Sequence, residues 1–101
     1  MTKTLAYAPE ALDDLDAIFD FIAADNPGRA VTYIEEIRQA CRSLCDMPLI
    51  GVDRPDLRPG VRVLAVRRRV VIAYEIVADR IDILRVFSGG QDYAAIMGGD
   101  S

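Results

Sequence analysis

The apolar residues of this chain follow one period up to about residue 45 and another after about residue 60, and that change limits the fold more than any other feature. Leu12, Leu15, Ile18, Phe19 and Ile22 recur at steps of three and four, which reads as one face of a helix over residues 9–25. Pro9 suits the first turn, where its missing N–H costs nothing. Glu10, Asp13 and Asp14 place negative charge at that positive end. Asp13, Asp16 and Asp20, with the neighbouring acids, fall on the outer face. Asp25-Asn26-Pro27-Gly28 then breaks the pattern. Proline drives Asn26 out of the helical region, so Asn26 caps a second helix that starts at Pro27. Ala30, Tyr33, Ile34, Ile37, Cys41 and Leu44 make the second stripe, and the short connection makes the pair an antiparallel hairpin.

Residues 47–60 hold Pro48, Gly51, Pro55, Pro59 and Gly60 and show no periodicity; an irregular stretch of that length is often functional. Three β-branched runs follow, over residues 62–66, 70–77 and 80–87, joined by the Arg67-Arg68-Arg69 tip and by Ala78-Asp79. Thr4-Leu5-Ala6-Tyr7 reads as a further short strand. The order is β-α-α-β-β-β: an α+β chain with a helical hairpin laid on one face of a small, antiparallel-rich sheet. In the second run Ile72, Tyr74 and Ile76 are the core face, because Glu75 lies on the other with Val71, Ala73 and Val77. The third run is apolar on both faces, as an interior strand is, and places Arg85 with Ile81, Ile83 and Phe87. No second helical layer is in sight. Ile81, Ile83 and Phe87, or Leu84 and Val86 with the opposite facing, are therefore expected on a bare apolar face that a protein partner covers.

A chain of 101 residues has room for one domain, read as residues 1–97 with a frayed tail at 98–101. The hydrophobic fraction of 51% excludes a disordered chain, and no stretch approaches the ~20 apolar residues of a membrane span. The N-terminus lacks the apolar region of a signal peptide, and the expected location is the cytoplasm. The net charge of −4 hides an asymmetry. Residues 1–50 carry Lys3, Arg29, Arg38 and Arg42 against nine acids, whereas residues 54–69 carry six arginines against Asp56 alone. Arginine forks hold planar carboxylates and phosphates with a geometry that lysine lacks, although GC-rich codons favour arginine too.

Candidate chemistry is sparse. The absence of His removes the commonest general base and the commonest zinc ligand together, so no metal, cofactor or catalytic residue is assigned. Cys41 and Cys45 stand one helical turn apart, and Cys41 on the apolar stripe reads as a small buried hydrophobe. Gly89-Gly90 lacks the spacing and the Lys of a phosphate loop and reads as a strand exit. The acids of the first helix read as a solvated face. Arg62, Arg67, Arg68, Arg69 and Arg85 are the polar group with a claim to function. The plain alternative for the tip is a hairpin kept soluble by charge. Arg85, within an apolar strand, must find a carboxylate, a carbonyl or a partner. Gln91, Asp92 and Tyr93 follow the last strand beside this patch; Tyr93 offers a hydroxyl and a stacking face, or simply packs in a turn.

Several short segments resemble the RelE/ParE superfamily of type II toxins, and its ParE branch most closely. They are Ala11-Leu12-Asp13-Asp14-Leu15-Asp16-Ala17-Ile18, then Asp25-Asn26-Pro27 with Ala30, then Leu44 with Met47-Pro48-Leu49-Ile50-Gly51. Pro59-Gly60-Val61-Arg62, residues 70–74 and Ile83-Leu84-Arg85-Val86 complete the set, which spans residues 5–95. Each is degenerate; their order and spacing are the specific part. The resemblance implies a curved sheet under a helical hairpin. It also implies a cytoplasmic toxin of a plasmid- or chromosome-stabilising pair, neutralised in a hetero-oligomer by a ParD-like ribbon-helix-helix antitoxin that alone contacts DNA, with no role for a membrane. ParE-like members poison DNA gyrase by binding and not by their own catalysis. RelE-like members cut mRNA in the ribosome, and a toxin-derived binding module without toxicity is a third reading.

Two departures bear on that choice. Many members read His-Gly-x-Arg-Asp after the last strand, where this chain has Ser88-Gly89-Gly90-Gln91-Asp92. The lysines of the RNA-cleaving members are missing as well, since Lys3 stands alone. Cleavage at a 2′-hydroxyl needs a base, and arginine stays protonated. The assignment is then Arg85, Gln91, Asp92, Tyr93 and the Arg67, Arg68 and Arg69 tip as target-facing, with Arg62, Ile81, Ile83 and Phe87 facing the antitoxin.

Overall fold

In the computed structural model, residues 2–89 and 93–97 are described, with the backbone alone for Tyr93 and Ala94. Strand β1 (Thr4–Tyr7) leads into α1 (Pro9–Ala23) and α2 (Pro27–Ser43). Proline opens each helix. The Asn26 side chain caps α2 by accepting the Arg29 N–H at 3.1 Å, as its place before proline predicts. Strands β2 (Val52–Asp53), β3 (Val61–Val66), β4 (Val70–Val77) and β5 (Arg80–Ser88) follow, and a short α3 (Tyr93–Ile96) comes last. The sheet order is β1-β5-β4-β3-β2. β2 to β5 form an antiparallel meander, whereas β1 joins the far side of β5 in parallel, so two helices pack on a five-stranded mixed sheet. No described helix is long and apolar enough to cross a membrane.

The main core lies between the helical hairpin and one sheet face. Leu15 and Ile18 of α1 and Ile37 and Cys41 of α2 meet Ile72, Tyr74, Ile81, Ile83 and Val86 there. This agrees with the facing read for β4. A smaller cluster on the other face joins Leu57, Val61, Ala73 and Phe87, with Leu84 and Met97 packed against it.

That second cluster corrects the expectation of a bare apolar face. Ile81 and Ile83 are 0% exposed and lie under the helices, while Phe87 is covered from the opposite side. The reason is a register shift: Tyr74 pairs with Ile83 but Ala73 pairs with Arg85, so Leu84 is an extra residue in β5. The bulge reverses the facing of all that follows. Ile81, Ile83 and Val86 face the helices, and Arg85 and Phe87 face the other way. Leu57 from the loop after β2 and Met97 from the C-terminal turn then close the second face. The stretch read as irregular also holds β2, whose two residues pair with Arg62 and Val63.

Tyr7, at the end of β1, reaches Cys41 of α2 with Arg38 over its ring at 5.1 Å. Burial, before any other cause, pushes the Cys41 thiol from 9.0 up to about 11 and the Tyr7 hydroxyl from 10.0 up to about 12. Both groups bind their protons more tightly folded than unfolded. The stability they contribute is therefore whole below about pH 9 and is lost as pH rises through about 11. Denaturant midpoints measured from pH 7 to pH 10.5 should hold up to about 9 and then fall, and Cys41→Val should flatten that fall; a wild-type midpoint unchanged at pH 10.5 would contradict this.

Candidate functional site

β1 runs beside β5 only from Arg80 to Ile83. The chain then turns away, with the Ala8 N–H donating to the Ile83 carbonyl at 2.9 Å, and α1 lies along the remainder of this side of the sheet. Asp14 does there what a neighbouring strand would do. One oxygen of its carboxylate accepts the Val86 N–H at 2.9 Å. The same carboxylate takes both arms of the Arg85 guanidinium, Nε and Nη2, each at 2.8 Å. Arg85 starts on the face away from α1, passes over the Phe87 ring at 5.1 Å and wraps around the strand to arrive. With side-chain exposures of 26% for Arg85 and 15% for Asp14, the pair is shielded enough for its charge-assisted bonds to count. Those bonds raise the Arg85 pKa above its ordinary range.

Beside this buckle lies a groove of about 480 Å³. Ala17, Ile18, Phe21 and Ile22 of α1 form one wall, Tyr33 of α2 forms its end, and Val86 and Gly89 form the other side. Arg29 and Arg69 stand at its mouth. Phe21 is 84% exposed, an unusual position for a phenylalanine on a helix that buries three residues elsewhere.

The hairpin tip adjoins this mouth. Arg67 and Arg68 hold φ of 54° and 63°, the two central positions of a turn closed by the Arg69 N–H on the Val66 carbonyl at 3.2 Å. Such turns favour glycine and asparagine, and holding arginine there costs strain, which is characteristic of positions kept for their side chains. Arg67 pairs with Glu36 at 3.1 Å, and all three tip arginines are exposed.

The residues assigned from sequence therefore separate. Arg67, Arg68 and Arg69 form one exposed group, joined through Arg69 to the groove. Arg85 is held by Asp14. Arg62 donates to the Gly51 carbonyl at 2.7 Å and braces a turn of its own chain. Ile81, Ile83 and Phe87 lie inside the fold and offer no surface to an antitoxin. Gln91 and Asp92 lie outside the described residues, as does the Tyr93 side chain; its backbone opens α3. Sequence reasoning missed Asp14, taken as one acid among many, and Phe21, which falls off the apolar stripe. An aromatic on the polar side of an amphipathic helix was the available signal for the latter. Among the described residues no cluster of three or more His, Cys, Asp or Glu is placed to hold a metal ion.

Comparison with known proteins bears on this geometry. Residues 5–93 match the model of the family described as "ParE toxin of type II toxin-antitoxin system, parDE". The chain is 33% identical over 86 residues to Toxin ParE3 of Caulobacter vibrioides, covering 84% of this chain and 85% of that protein. It is similar in structure to a chain of the chromosomal ParDE TA system from P. aeruginosa, with TM-score 0.74, 28% identity, and coverage of 86% of this chain and 96% of the other. A chain of the toxin-antitoxin complex RelBE2 from Mycobacterium tuberculosis shares the fold at TM-score 0.61 and 22% identity, covering 88% of this chain and 100% of that one.

The Asp14 buckle is open to a direct test. Asp14→Ala leaves the Arg85 charge and the Val86 N–H without their acceptor and should cost about 2 kcal/mol, less than a fully buried pair because both groups keep some solvent. A double-mutant cycle with Arg85→Ala, read by urea denaturation, should give a coupling of about 1 kcal/mol or more. Additive losses would show that the two side chains act separately.

Proposed function

Because the chain belongs to the ParE toxin family of type II toxin-antitoxin systems, we propose that it inhibits DNA gyrase by binding and that a ParD-like antitoxin neutralises it by filling the groove beside the Asp14 buckle. The observation that carries this reading is the place of Arg69, which belongs both to the exposed tip and to the mouth of the groove. A segment lying in the groove necessarily meets one of the tip's three arginines. That contact supports the reading of neutralisation: a segment filling the groove would cover Arg69, one member of the proposed target-facing tip.

Each half has a chemical basis. The groove offers apolar anchorage at Phe21, Ile18 and Ile22 under a rim of two guanidiniums, which suits a segment of apolar anchors flanked by carboxylates. The tip presents arginine forks on a stiff hairpin, suited to carboxylate or phosphate groups on a target. Gln91, Asp92 and Tyr93 extend the proposed target-facing set. Arg85 supports it from behind by holding β5 to α1.

Binding without catalysis fits the ionisable groups present. The sequence has no His, its arginines stay protonated, and burial keeps the Cys41 thiol and the Tyr7 hydroxyl protonated near neutral pH. The family's DNA contact would come through the antitoxin, and the work would be done in the cytoplasm.

Purified gyrase should lose supercoiling activity when the folded chain is added at micromolar concentration. Activity should return when the chain is supplied as its antitoxin complex, and the triple change of Arg67, Arg68 and Arg69 to Ala should remove the inhibition. Phe21→Ser with Arg69→Glu should weaken antitoxin capture at least tenfold. Supercoiling unaffected by the folded wild-type chain would remove the gyrase reading.

A further inference from the structure

A second exposed apolar surface lies on the opposite edge of the sheet. Of the nine large apolar side chains exposed among the described residues, four fall within residues 47–52: Met47, Leu49, Ile50 and Val52. Leu49 is 67% and Val52 63% exposed. Scattered exposed hydrophobes need no explanation, but four within six residues of one turn do.

The backbone beneath them is held by bonds that come from the core. The Tyr74 hydroxyl, on a fully buried side chain, donates to the Pro48 carbonyl at 2.7 Å and accepts the Gly51 N–H at 3.0 Å. Arg62 donates to the Gly51 carbonyl. Gly51 is wedged so closely that a Cβ there would lie 2.5 Å from the Tyr74 hydroxyl oxygen and 2.9 Å from the Val63 carbonyl oxygen. The turn is thus a rigid ledge, and its apolar side chains are presented with little conformational entropy left to lose on binding.

The charge at this ledge is opposite to that at the groove. Within residues 46–53 the exposed ionisable side chains are Asp46 and Asp53. The arginines on either side are engaged, Arg54 by both oxygens of Asp56 at 2.9 and 2.8 Å and Arg62 by the turn's carbonyls. The ledge also ends in β2, the outermost strand of the sheet, three strand spacings or about 14 Å from β5.

We propose that the 47–52 ledge is a second docking surface, separate from the groove, for an extended segment of a partner protein that alternates apolar side chains with lysine or arginine. Apolar side chains of the segment rest on Leu49, Ile50 and Val52, its cations meet Asp46 and Asp53, and its backbone runs beside β2. This surface is independent of the gyrase reading, since neither the tip nor the groove contributes to it.

Two synthetic ten-residue peptides test it on the full chain, one alternating valine with lysine and the other alternating valine with glutamate, each followed by fluorescence anisotropy. The lysine peptide should bind at least tenfold more tightly than the glutamate peptide. Its affinity should fall at least tenfold in the chain carrying both Leu49→Ser and Ile50→Ser, and about threefold or more with Asp53→Lys, while Phe21→Ser leaves it within twofold. Leu49, Ile50 and Asp53 are exposed, so these variants should keep the wild-type melting temperature, which the same samples report. Equal affinity for the two peptides, no binding of the lysine peptide at millimolar concentration, or a loss on Phe21→Ser in place of the ledge variants would overturn the proposal. Antitoxin capture by the Leu49→Ser, Ile50→Ser chain provides the separation from the groove reading. Its loss there would contradict that reading as well as the independence of the two surfaces.

Discussion

A carboxylate standing in for a strand is the constraint on which the rest of this structure depends. β1 ends beside Ile83, and from there the side of β5 is met by α1. Asp14 joins the two by taking the Val86 N–H and both arms of Arg85. A backbone donor left in that half-covered position would cost on the order of 1–3 kcal/mol, and so would a shielded guanidinium with no acceptor. Satisfying both through one residue sets the distance and angle between α1 and the sheet. Asp14 and Val86 both line the groove, so that contact forms part of its wall. The bulge at Leu84 completes the arrangement, because it turns Arg85 outward and lets its side chain come around the strand.

The consequence is a division of labour between the two edges of the sheet. On the α1 side, an apolar groove opens beneath two guanidiniums and shares Arg69 with the strained hairpin tip. On the β2 side, an apolar ledge is braced from the core by Tyr74 and Arg62 and carries Asp46 and Asp53 as the exposed ionisable side chains of residues 46–53. A chain of this size has little surface to spare, and both edges carry apolar side chains that a solitary monomer would gain by burying. Opposite charge at the two rims separates the segments each can accept.

Much of the fold was legible because it rests on local rules. Pro9 and Asn26-Pro27 place both helix starts, the stripes from Leu12 to Ile22 and from Ala30 to Leu44 give their buried faces except at Leu12, which is 42% exposed, and the β-branched runs give the meander with Tyr74 turned inward. What escaped depends on contacts between distant segments. Nothing near Leu84 announces a bulge, since the residues around it are apolar on both sides; the inversion follows from how β4 and β5 pair, and it carries Ile81 and Ile83 to one face and Phe87 to the other. The parallel placement of β1 likewise depends on its meeting β5 across some 75 residues. Asp14 was one carboxylate in an acidic run, and only that meeting makes it different from Asp13 and Asp16. Arg85 was legible as a residue that must find a carboxylate, a carbonyl or a partner, though not that Asp14, 71 residues away, is the acceptor.

Amide hydrogen exchange of the chain, alone and bound to its cognate antitoxin, tests most directly the claim that the buckle shapes the surface the partner fills. The Val86 amide should be slow in the free chain already, and binding should slow exchange over residues 17–22, 29–33 and 86–89 while residues 47–52 stay unchanged. A fast Val86 amide in the free chain, or antitoxin protection centred on residues 47–52 with residues 17–22 untouched, would contradict it.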